Sequence, residues 1–140
     1  DHLQAGAEDW VLVHDGVRPC VRREDILRLI DRVGEHVVGG ILAVPVVDTV
    51  KQLGDDERTI TLSRSGLWLA QTPQLFRYPV LQRALEQAMR YDRRVTDESS
   101  AVEAMGQNPL LVEGHRDNIK ITADGDLALA AFYLQQQAVS

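Results

Sequence analysis

Two hydrophobic rhythms alternate along this chain. Dense apolar runs rich in β-branched residues stand at Val11–Val13 and Ile41–Val47. Runs of this kind read as buried strands, the first as a strand of a parallel sheet. Pro45 marks where the second leaves the sheet or becomes an edge. Trp68–Phe76 returns the chain to the core, and Leu110–Val112 and Asn118–Thr122 read as two further short strands. Between these runs the period lengthens. Over Arg22–Val37, the residues Ile26, Leu29, Ile30, Val33 and Val37 share one helical face, and Gly39-Gly40 breaks the pattern. Pro79 opens a second helix, where its missing N–H costs nothing, with Leu81, Ala84, Leu85, Ala88 and Met89 as its stripe. Thr96–Met105 reads as a third helix. Thr96 is its N-cap, Asp97 and Glu98 suit its positive end, and Gly106 follows its last turn. Thr122 or Asp124 caps a final helix whose apolar residues, Leu127 to Leu134, cover much of its circumference.

Strands alternating with helices predict an α/β sheet with helices on both faces. One segment breaks the scheme. Asp48–Leu53 and Thr59–Ser63 alternate polar and apolar residues around the polar tip Gly54-Asp55-Asp56-Glu57, which is a hairpin pattern. A two-stranded ribbon is marginal alone. Residues 45–66 therefore read as an arm reaching for something to pack on, a partner subunit or the chain's own domain. Asp1–Gly6 reads as the tail of a helix, and a chain that opens in mid-element without Met reads as a piece of a larger fold.

Composition narrows the classes. At 140 residues and 44% hydrophobic, the chain suffices for one core. A net charge of −6 argues against a nucleic-acid or membrane-surface binder, which needs a basic face. It leaves room for a small phosphorylated ligand held by a local cation cluster. The single Cys20 makes no internal disulfide and gives no sign of an oxidising compartment. It follows Pro19, lacks an activating partner and reads as packed. The Ile41–Val47 run is far too short to span a bilayer.

The familiar catalytic motifs are missing. His2, His14, His36 and His115 show no metal-ligand spacing, and no Walker loop, G-x-G-x-x-G, G-x-S-x-G or H-E-x-x-H occurs. What stands out is a set of polar residues at strand ends or in apolar surroundings: Asp15, Arg18, Thr49, Arg64, Thr72, Asp117 and Lys120. Cations, hydroxyls and carboxylates in this mixture suit phosphoryl chemistry, which needs positioning and charge neutralisation more than a covalent catalyst. Asp15 and Arg18 follow a strand, where open α/β sheets place ligands. They can hold a metal-bound phosphate or a polyol hydroxyl, or simply tidy a surface loop. Lys120 among strand residues either points at an anion or faces solvent from an edge.

Several motifs occur in a fixed order: Val11-Leu-Val-His-Asp-Gly-Val-Arg-Pro19, Ala43-Val-Pro-Val-Val-Asp-Thr-Val-Lys51, Leu67-Trp-Leu-Ala-Gln-Thr-Pro-Gln-Leu-Phe76, Thr96-Asp-Glu-Ser-Ser-Ala101, and Val112-Glu-Gly114 with Asp117-Asn-Ile-Lys-Ile-Thr122. Together they resemble the C-terminal part of the 2-C-methyl-D-erythritol 4-phosphate cytidylyltransferases. Gly16-Val17 stands where an Ala-Ala pair is usual in that family. The resemblance implies a Rossmann-like nucleotidyltransferase sheet with a protruding hairpin, residues 1–140 being the C-terminal part of one such domain. It implies a cytoplasmic enzyme of non-mevalonate isoprenoid synthesis that transfers a cytidylyl group from CTP to methylerythritol phosphate, with Mg²⁺ on the triphosphate. By the same resemblance, Asp15 and Arg18 contact the polyol or position the triphosphate. Thr49 and Arg64, on the arm, reach into a homodimer partner's site. Lys120 neutralises phosphate near the reacting centre, and Thr72 and Thr96 line the pocket. Asp15 and Asp117 are the candidate metal ligands. The family's Gly-rich nucleotide loop is missing from this sequence, so the expectation is an active full-length protein and an inactive 140-residue piece. A ribitol 5-phosphate cytidylyltransferase and a non-catalytic dimerising remnant are the alternatives.

Overall fold

The structure, a computed structural model, describes residues 5–92 and 94–139. His2 and most of the expected Asp1–Gly6 helix tail lie outside them. Among the described residues six strands and four helices follow in the order β1 (Trp10–Val13), α1 (Arg23–Val33), β2 (Gly39–Pro45), β3 (Val50–Leu53), β4 (Thr59–Leu62), β5 (Trp68–Arg77), α2 (Tyr78–Arg90), α3 (Glu98–Glu103), β6 (Leu110–Glu113) and α4 (Asp124–Gln137). Four strands form a mixed sheet in the order β1-β5-β2-β6, and β3 and β4 form a separate ribbon.

Alternation along the central strands fills two layers. Ile41 and Phe76 point to one face and pack with Val38, Leu81, Ala84, Ala101 and Val102 under α2 and α3. Leu42 and Leu75 point to the other and pack with Leu29, Val33 and Val112 under α1. The helices thus cover both faces, as the pattern predicts. Gly39 starts β2 at φ +142°, and a Cβ there would lie 2.3 Å from the Leu75 carbonyl oxygen, so the tight start of this strand requires glycine.

Five expectations need correction. β1 is not a buried parallel strand. It runs antiparallel to β5 at an edge of the described sheet, and Leu12 is 40% exposed. An apolar run reports burial capacity, not strand direction. Among the described residues only β2 and β6 pair in parallel. α1 ends at Val33, leaving Ile30 and Val37 exposed. α3 starts two residues later than expected, because Asp97 rather than Thr96 caps it: the Asp97 carboxylate accepts from the Ser100 N–H at 2.9 Å and the Ser100 hydroxyl reaches back to the Asp97 N–H. At α4 the capping carboxylate is Asp126, which accepts from the N–H groups of Thr122 and Ala123. Lastly, residues 118–122 form no strand ladder. They are a loop, held by side chains from elsewhere.

Candidate active site

A bulge in β5 builds the site. Ile41 pairs with Gln74 but Ala43 pairs with Ala70, so two steps along β2 match four along β5. The extra length turns Gln71 and Thr72 toward the loop after β6. Gln71 donates from Nε2 to the His115 carbonyl at 3.0 Å, and Asn118, fully buried, donates from Nδ2 to the Thr72 carbonyl at 2.8 Å.

The loop after β1 is fastened to the same bulge. The Thr72 hydroxyl accepts from the Asp15 N–H at 3.0 Å and lies 2.9 Å from His14 Nδ1. His14 Nε2 lies 3.0 Å from the Arg18 carbonyl, which can only accept. In the neutral ring Nε2 therefore carries the proton and Nδ1 accepts from Thr72. His14 thus pins the Asp15–Arg18 turn from behind. Arg18 is held as a rigid fork, donating at 2.8 Å to the Asn118 carbonyl and at 3.4 Å to Asp15 Oδ2.

Lys120 closes the arrangement, with Nζ 3.1 Å from Asp15 Oδ2. Burial alone would raise the Asp15 pKa, but the Lys120 hydrogen bond and charge, and then Arg18, outweigh it and hold the carboxyl below its ordinary value. Two cations around one carboxylate line a cavity of about 310 Å³ together with Ala70, Gln71, Thr72, Gln74, Thr96, Asp97 and Glu98.

Five of the sequence-derived residues, Asp15, Arg18, Thr72, Thr96 and Lys120, therefore share one cavity. Thr49 and Arg64 do not line it. Both are exposed on the arm side, where the Arg64 guanidinium donates to the Val47 carbonyl. Asp117 does not line it either. Its Oδ2 accepts from Arg22 Nε at 3.0 Å and from Gln137 at 3.3 Å. Burial pushes its pKa up, but the Arg22 hydrogen bond and then Gln137 bring it below the usual carboxylate value. It stands outside the cavity expected to hold a metal, and its Oδ2 ties α4 and the residue before α1 to the loop. Pattern reading missed Gln71 and Gln74, and took Asp97 and Glu98 as helix-end residues only. The Gln-Thr-Pro-Gln run inside an otherwise apolar strand was the available signal for the two glutamines.

Among the described residues no cluster of three or more His, Cys, Asp or Glu side chains forms a metal cage. Asp97 spends one oxygen on Ser100 and the other on Gln74, and Asp15 Oδ2 is shared by two cations. These residues do not fit a resident magnesium ion.

The family model of IspD, 2-C-methyl-D-erythritol 4-phosphate cytidylyltransferase, matches residues 1–136. The chain belongs to this family. The cytidylyltransferase of Acidithiobacillus ferrooxidans is 52% identical over 134 residues, 94% of this chain and 56% of that protein. That of Ruthia magnifica is 48% identical over 129 residues, 92% of this chain and 54% of its own length. Among solved structures, the Francisella tularensis enzyme of this family superposes with a TM-score of 0.85 at 41% identity, covering 94% of this chain and 62% of that one. A 4-diphosphocytidyl-2C-methyl-D-erythritol synthase superposes at 0.81 with 45% identity, covering 93% and 58%. The chain thus spans about half the length of the curated relatives it matches. The IspD family match covers all five cavity residues and both arm residues. Among the described residues no helix is long and apolar enough to cross a membrane.

Proposed function

We propose that this chain supplies the C-terminal part of a nucleotidyltransferase domain that transfers a cytidylyl group from CTP to 2-C-methyl-D-erythritol 4-phosphate, in the cytoplasm and as a homodimer. The observation that carries the reading is the pairing of Arg18 and Lys120 at one cavity, in a chain whose family match spans residues 1–136. A phosphate oxygen of the polyol phosphate attacks the α-phosphorus of CTP, the bond to the β-phosphate bridging oxygen breaks, and pyrophosphate leaves. Two anionic substrates repel, so fixed cations at the point of attack lower the barrier.

Lys120 and Arg18 are the groups that neutralise this charge. Arg18 is pre-oriented by carbonyls, and Lys120 is free to exchange Asp15 for a phosphate oxygen. Asp15, once released, accepts from a polyol hydroxyl. Thr72 and Thr96 line the wall. Magnesium would come with the triphosphate as part of the substrate. Thr49 and Arg64 serve the partner subunit's cavity. This is supported by the exposure of the β3–β4 ribbon, in which only Val50 and Leu62 at its base are partly covered, because a ribbon so little packed on its own chain is marginal alone.

The test is CTP-dependent pyrophosphate release by the intact protein with methylerythritol phosphate and, separately, ribitol 5-phosphate. Turnover confined to the first supports the reading. Preference for the second makes the protein the ribitol enzyme, and no turnover with either favours a dimerising remnant. The 140-residue chain assayed alone is expected to be inactive, and robust turnover would refute its incompleteness.

A further inference from the structure

The cavity side of the Lys120 loop is accounted for, but its other side holds a buried charge that the reaction does not use. Asp25, in the first turn of α1, has no exposed surface. A carboxylate buried this way is costly unless its oxygens are bonded. They are: Arg28 Nη1 donates at 2.8 Å, the His115 N–H at 3.1 Å, and His115 Nδ1 lies 2.7 and 2.9 Å from the two oxygens. Arg28 Nη1 also donates to the Glu113 carbonyl at 2.7 Å. Helix α1 therefore grips the chain on both sides of Gly114, at the point where β6 ends.

That point matters because no strand ladder follows it. Gly114 itself is pressed against β5, where an added Cβ would lie 2.8 Å from Gln71 Oε1. Past His115 the loop is held from several sides: Arg116 Nη2 donates to the Pro45 carbonyl at 2.6 Å, and Asp117 accepts from Arg22, just before α1, and from Gln137 of α4. Gln71 takes the His115 carbonyl, Arg18 takes the Asn118 carbonyl, and the Ile121 N–H donates to the Val17 carbonyl at 2.9 Å. The register of Lys120 is thus set by β5 and the turn after β1 on one side, and on the other by Arg22 and Gln137 at Asp117 and by α1, through Asp25, at His115.

We propose that Asp25 is a positioning residue, which through His115 and Arg28 fixes the loop so that the Lys120 ammonium stands beside Asp15 at the cavity. The functional half of this statement rests on the proposed cytidylyl transfer; the mechanical half does not. Asp25 contributes little to the α1 core, which Leu29 and Val33 fill. Its bonds across to the loop join residues ninety positions apart in sequence.

The test combines two measurements on the intact protein. Hydrogen exchange at the Ile121 amide reads the loop, and exchange along the β2–β5 ladder reads the whole fold. Asp25→Asn is expected to speed Ile121 exchange about tenfold or more while the ladder stays protected. His115→Ala, which keeps the backbone bond and loses the ring, is expected to do the same more weakly. It serves if Asp25→Asn fails to fold. A double-mutant cycle with Lys120→Ala reads function. Asp25→Asn should lower kcat by roughly 10–100-fold when Lys120 is present and less than about twofold when it is not, because a misplaced group can only cost what the group supplies. Unchanged Ile121 exchange, equal loosening of the ladder, or equal loss of kcat in both backgrounds each overturns the proposal. Should the parent protein show no turnover, the functional reading falls, and Ile121 exchange alone decides whether the clamp exists.

Discussion

The loop at residues 113–122 and the arm at residues 45–66 both carry residues assigned to phosphate binding, and they are built in opposite ways. The loop has no regular secondary structure after Glu113, yet side chains from α1, β5 and the turn after β1 hold it in place. The arm is regular antiparallel sheet, with Lys51 facing Thr61 and Gln52 facing Ile60 in register, and it is exposed on both faces. Regularity and rigidity therefore part company here. A ladder satisfies its own backbone but gives a ribbon no anchor, whereas buried side-chain bonds anchor a loop that has no ladder. The anchored element carries the cation fixed within its own chain. The unanchored one carries Arg64, whose place in the proposed site depends on another molecule.

The contrast sets an order of expected effects. Lys120→Ala in the intact protein should raise the barrier to the proposed cytidylyl transfer by about 2–4 kcal/mol, the usual value of a preorganised charge donor. Steady-state kcat measures it, and an unchanged rate would exclude Lys120 from the site. Asp117→Ala should come next, as a loss of stability, because it strips the partner from Arg22 and from Gln137. About 1–3 kcal/mol is expected for leaving such groups unpaired, read from urea midpoints. Arg64→Ala should leave folding intact and raise KM for the polyol phosphate by roughly tenfold while sparing CTP, as expected of an exposed group that acts only across a dimer. An equal rise for both substrates would sink that role.

The smallest effect is in acid. Asp15 and Asp117 both titrate below the ordinary carboxylate value of 3.8 when folded. The unfolded chain therefore takes up protons at these groups at higher pH than the folded one. Their stabilisation is complete above the ordinary value, begins to fall as pH drops below about 4, and is gone only below the folded values. Urea midpoints followed from neutral to acid pH should show this decline, shallower in Asp117→Asn. An identical decline in that variant would mean Asp117 contributes nothing to it.

Much of this was legible before any coordinates. Dense apolar runs placed the core strands, the 3.6-residue rhythm placed α1 and α2, and a cap followed by a long apolar stretch placed α4, because such patterns are local properties of the chain. The hairpin was legible from its two-residue alternation around a polar tip. Asp15, Arg18, Thr72, Thr96 and Lys120 were singled out in sequence and share a cavity. Two misreadings are instructive. Asn-Ile-Lys-Ile-Thr alternates like a strand, yet it is a loop, since the Asn118 side chain and the Ile121 amide find their partners in Thr72 and Val17 and not in a neighbouring strand. Asp117 looks like a metal ligand in sequence, yet it stands outside the cavity, bonded to Arg22, ninety-five positions away.

The sequence by itself determined which segments become strands, helices and ribbon, and which residue types the cavity has to work with. The tertiary structure alone decided the bulge that turns Gln71 and Thr72 toward the loop, the end-to-end direction of β1, and the division of the acids between Asp15 at the cavity and Asp25 and Asp117 behind it. The physical reason lies in range. Apolar periodicity is written within a few residues, whereas a buried polar atom must be satisfied by whatever group the fold brings within about 3 Å of it, and that group can stand anywhere in the chain.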